Sequence, residues 1–221
     1  MASITTQRQV GAAYLRPLKT PIYDTMDMPS AVAIPSLGFF QVPQGQNLPV
    51  AAVAKTAAET NLQTSSQLGV PQQFDLFGFQ AHVHYAGGYR LNAANSIIFA
   101  NDMVIIYEAS VFKFILGSNR ISLQLPFTKV PAGPMFLSGP KSTAIDAIAL
   151  NTIQNGTPGA KEFVKHFSST PGEEAMKPIF IDSSENFAAS LEWPVAAAQV
   201  NALGNTTRIT MYMVGILYAS L

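Results

Sequence analysis

The 221 residues include no cysteine, a single tryptophan and three histidines, and only 12% of them are charged. Without cysteine there is no disulfide scaffold, no thiolate zinc site and no cysteine nucleophile. Charge at this level is about half of the usual ~25% of a soluble domain. The 13 basic and 13 acidic residues cancel to a formal charge of zero. Near-zero net charge favours association, so the composition predicts a surface that neighbours cover and leans away from a solitary enzyme. The length suits one domain with a sizeable core that needs no staples.

Long apolar runs are missing too. The longest charge-free stretch, between Asp27 and Lys55, is broken by Pro29, Pro35, Pro43 and Pro49, whereas a spanning helix needs roughly 20 unbroken apolar residues. The segment Met1–Arg8 has no basic region followed by an apolar one, which predicts a chain made in the cytoplasm without a signal peptide.

What is present is mostly strand signal. Residues 1–35 hold Pro17, Pro21, Pro29 and Pro35 and no sustained period of 2 or 3.6, so they read as an extended N-terminal arm outside the core. Its apolar residues Tyr14, Leu15, Leu18, Ile22 and Tyr23 are the candidate subunit contacts. Residues 36–221 read as one domain. Strands are expected at 37–42, 74–85, 104–116, 120–125, 178–181, 187–193 and 208–218, with a hairpin turn at Gly117-Ser118-Asn119. In 74–85 the residues Phe77, Phe79, Ala81, Val83 and Tyr85 share one face. Short helices are confined to loops, at 92–101, at 143–155 behind the capping box Thr143-Ala144-Ile145-Asp146, and at 160–167. Seven to nine strands with long connections predict an all-β single sandwich.

Motifs for chemistry are thin. Gly133–Ser142 resembles a phosphate loop at first glance, but five residues separate its glycines and Pro140 removes an N–H that a phosphate would need. His82-x-His84 puts two imidazoles on one strand face, with His166 or Asp75 needed as a third ligand through the fold, and no metal is expected there. No Gly-x-Ser-x-Gly elbow, His-Glu-x-x-His or dinucleotide fingerprint occurs, and a triad would have to draw its base from His82, His84 or His166. No catalytic residue and no cofactor is expected. The first 23 residues carry Arg8, Arg16 and Lys19 and no acid; that charge of +3 is far below what strong non-specific nucleic-acid binding requires.

The order of segments carries a resemblance. Thr60-Asn61-Leu62 is followed by Phe74-x-Leu76-x-Gly78-Phe79, then Asn101-Asp102, then Leu125-Pro126-Phe127 with Pro131-Ala132-Gly133. The finish is Asn186-Phe187 and then Arg208-Ile209-x-Met211-x-Met213-x-Gly215-Ile216-Leu217. Together these resemble the jelly-roll coat proteins of tailless icosahedral bacteriophages over residues 36–221. The resemblance implies an eight-stranded single jelly roll that self-assembles into capsomers and a capsid, as the major coat protein of a virion. Its implied partners are further copies of itself, minor capsid or vertex proteins, and an underlying lipid layer. The weak positive charge of the arm departs from the coats of small RNA viruses. A homo-oligomeric carbohydrate-binding β-sandwich is the alternative; it would need an exposed aromatic platform, which Trp193 with Glu192 could start but nothing in the sequence completes.

Overall fold

Alternation dictates one of the two longest strands. From Thr207 to Ala219 nearly every second residue is a large apolar one, and in the computed structural model this segment is the centre of a sheet. The structure describes residues 8–10, 13–28, 32–47, 54–85, 105–117, 121–130, 178–195 and 207–220. They form β1 (Arg8–Val10), β2 (Ala13–Leu18), β3 (Ile22–Met28), β4 (Ser36–Phe39), β5 (Gln73–Tyr85), β6 (Val111–Leu116), β7 (Ile121–Pro126), β8 (Ile179–Asp182), β9 (Phe187–Glu192) and β10 (Thr207–Ala219). The helices expected at 92–101, 143–155 and 160–167, the Gly133–Ser142 tract and His166 all lie outside the described residues.

Two antiparallel sheets make an all-β sandwich. One has the order β1-β2-β10-β5-β8, with β3 also paired to β10; the other has the order β4-β9-β6-β7. Between them lies a core built largely of phenylalanine, including Phe39, Phe74, Phe79, Phe112, Phe114 and Phe187, each at most 1% exposed. Phe79 of the first sheet reaches Phe112 and Phe114 of the second, with ring centroids 4.9 and 5.0 Å apart. Such contacts add to the burial energy of the rings themselves.

The expected arm is not outside this sandwich. Strand β3 pairs with β10 over seven positions, from Met28 opposite Thr207 to Ile22 opposite Met213. Strand β2 continues along the same edge, with Leu18 opposite Leu217. The register does not slip across Lys19–Pro21, so β2 and β3 act as one interrupted strand. Ile22 and Met28 enter the core, and Leu15 is buried against Ile216 and Tyr218 on the sheet's other face. Leu15 and Ile22 are therefore covered by their own chain. Leu18 and Tyr23 are half-buried, and only Tyr14, 64% exposed, keeps a free ring.

Two further expectations change. Residues 105–108 are a helical turn, so the strand expected from 104 begins only at Val111. In β5 the alternation is broken by a bulge: Val214 faces Gly78 but Gly215 faces Leu76, leaving Phe77 as the extra residue. A bulge reverses which face each later residue takes. Phe77 therefore packs with Leu15, Ile216 and Tyr218, while Leu76 and Phe74 turn into the core. Gly215 sits where this kink brings the strands together, and a Cβ there would lie 2.1 Å from the Asp75 carbonyl oxygen.

Candidate functional site

A cleft of about 370 Å³ opens on the outer face of the larger sheet. Its floor follows from register. Across β3, β10 and β5, Tyr23 stands beside Tyr212, and Thr25 beside Thr210 and His82; Asp27 stands beside Arg208. These residues alternate with the core positions Ile22, Met211 and Met213, and so point the other way. The first half of the outer face of β10 lines this cleft with Arg208, Thr210 and Tyr212.

Ala57 and Ala58 form the opposite wall, held there by the free edge of β3. The Thr25 amide donates to the Glu59 carbonyl at 2.7 Å, the Tyr23 amide to Asn61 Oδ1 at 3.0 Å, and the Thr60 hydroxyl to the Tyr23 carbonyl at 3.1 Å. Residues 59–61 thus occupy an edge that would otherwise invite another strand. The Tyr23 hydroxyl donates to the Ala57 carbonyl. Its ring lies 6.1 Å from that of Tyr212, tilted by 41°. Burial, and then the neighbouring Tyr23, push the Tyr212 phenol above its usual range. On the floor the Thr25 and Thr210 hydroxyls are 2.8 Å apart and hydrogen-bonded.

Arg208 closes one end, 2.9 Å from Asp27 and 3.3 Å from Glu59. Partial burial pushes the Glu59 carboxyl up. The hydroxyl and amide of Thr56 together with Arg208 outweigh that and hold it below its ordinary value of 4.5. A carboxyl depressed on folding stabilises the fold above its unfolded value, and that support is lost as pH falls through the folded one. The wild-type protein should therefore melt above a Glu59→Gln variant at pH 7, with the gap closing as the pH falls below about 4.5. Thermal unfolding at stepped pH measures this. Asp24 shifts the other way, but both chains keep it and it cancels.

Beneath the cleft, on the core side of β3, lies a charge pair. Asp24 and Lys55 meet at 2.5 Å with both side chains fully buried. The second Asp24 oxygen accepts the Phe40 amide at 2.7 Å, and Phe40 is held at φ 65°, a left-handed backbone that side chains adopt only at a cost. Burial raises the Asp24 carboxyl against the opposing pull of the Lys55 ammonium and these hydrogen bonds. The pair fixes β3, the corner after β4 and the start of the cleft wall at one point. Replacing Lys55 with Met should cost about 3–5 kcal/mol, because it leaves a buried charge uncompensated. Adding Asp24→Asn should recover most of that loss, as read by chemical denaturation.

His82 lies on the cleft floor; of His84 only the backbone is described. Among the described residues no three His, Asp or Glu side chains converge as a metal site would need. Trp193 is 4% exposed and donates its indole N–H to the Ile105 carbonyl at 3.1 Å, while Glu192 pairs with Lys113. An aromatic platform cannot start there. No protein-family model matches the sequence, and neither curated proteins nor solved structures give a significant match.

Proposed function

We propose that the chain is the coat subunit of an icosahedral viral capsid, folded as a single jelly roll. The nested strand pairing carries this reading. Strand β6 pairs with β7, β5 with β8, β4 with β9 and β3 with β10. Each pair encloses the one before it in sequence, as in a long hairpin ribbon folded double and wound into two sheets. That connectivity is what a jelly roll requires, and capsid and lectin domains share it.

Between those two uses, the zero net charge and 12% charged residues favour subunits packed on several sides. The β1–β2 hairpin, outside the eight nested strands and carrying exposed Tyr14, is the element offered to a neighbour. Trp193, at 4% exposure, offers no platform for a sugar.

The intact purified chain at neutral pH should form shells or large capsomers, seen by light scattering and electron microscopy. A dispersed 24 kDa monomer at high concentration would overturn the proposal. A small closed oligomer would count against a capsid and for a binding module.

A further inference from the structure

We propose that the cleft between β3, β10, β5 and the Ala57–Ala58 wall binds one or two residues of a neutral glycan. The proposal does not rest on the capsid reading.

Size comes first. A volume of about 370 Å³ is at the lower end of small-ligand pockets, which run from about 300 to 1,000 Å³. Chemistry narrows the class. A sugar ring has a C–H face and a rim of hydroxyls, so its site needs an aromatic wall next to donors and acceptors. Tyr23 and Tyr212 form a V of half-buried rings, and tyrosine presents both an apolar face and a polar edge. On the floor, the bonded Thr25 and Thr210 hydroxyls keep one O–H between them for an outside acceptor.

Charge decides against the other ligand classes. Arg208 is the one permanently charged side chain lining the cleft, and it is already held by Asp27 and Glu59. An anion would have to compete with two carboxylates at fixed distance. A cation would meet the guanidinium itself. A neutral hydroxyl, by contrast, accepts from the N–H groups of Arg208 that those ion pairs leave over, without disturbing either pair.

Saturation-transfer NMR on the intact protein, in whatever assembly it adopts, tests this with lactose, maltose and N,N′-diacetylchitobiose at about 10 mM, suited to a millimolar Kd. Sialyllactose serves as the anionic arm. At least one neutral disaccharide should give signals that Tyr212→Ala and Thr210→Val each weaken about tenfold. Tetranitromethane labelling needs no variant, so it holds even if Tyr212→Ala fails to fold. The bound sugar should slow nitration of Tyr23 and Tyr212 and leave that of exposed Tyr14 unchanged. No signal from any neutral sugar, signals from sialyllactose alone, or nitration of Tyr23 and Tyr212 unchanged by the sugar would each overturn the proposal.

Discussion

Deleting residues 2–30 should leave no folded protein, whereas deleting residues 2–12 should leave the sandwich intact. The longer deletion removes β3, and with it a seven-position ladder along β10. It also removes Ile22 and Met28 from the core and Asp24 from Lys55, whose side chain is fully buried. Lys55 would be left as an uncompensated buried charge, about 3–5 kcal/mol by itself. Two buried apolar side chains at about 1.5–3 kcal/mol each bring the loss into the range of a whole domain's ~5–15 kcal/mol stability. Far-UV circular dichroism and solubility distinguish the outcomes. A β-rich, soluble 31–221 fragment would mean that β3 is a detachable strap.

The second large effect is at Met213. This side chain is fully buried between Ile22 and Phe79 in register, with the second sheet above it. An aspartate there buries an unpaired charge or forces its protonation, a cost of at least several kcal/mol. Met213→Asp should therefore be insoluble. Val214→Asp, one residue on, faces the opposite, half-open side and should stay soluble with a modest fall in melting temperature. Equal behaviour of the two variants would show that the faces of β10 are misassigned.

Strands with regular alternation were legible almost to the residue. Those expected at 74–85, 187–193 and 208–218 are found at 73–85, 187–192 and 207–219. Strand β3 escaped because its core face reads Ile22, Asp24, Met26, Met28. The carboxylate in that series breaks the apolar period, and Lys55, which makes it tolerable, lies 31 residues away. Gly78 was the one local sign of the bulge that turns Phe77 outward, since glycine inside a strand often marks one. The apolar run Ile105-Ile106-Tyr107 suits a strand as well as a helical turn; in the fold it is a turn, with the Ser110 hydroxyl bonded back to the Ile106 carbonyl four residues earlier. The cleft had no sequence signature at all. Thr25 and Thr210, which meet on its floor, are 185 residues apart, and only the central position of β10 joins them.

That same separation sets a timetable for synthesis. Strand β3 ends at residue 28 and β10 begins at residue 207, so 207 − 28 = 179 residues must be translated before the two can meet. At ~5–20 residues per second this is a wait of roughly 10–35 s. Strand β3 waits for all of that time, and the facing edge of β5, which ends at residue 85, for the later part of it, without the strand that belongs between them. With so few charges, the nascent chain has little repulsion to keep such edges from pairing with those of its neighbours. Chains translated close together on one message would face this hazard most, and a chaperone able to cover β5 until β10 arrives would raise the yield of soluble subunit.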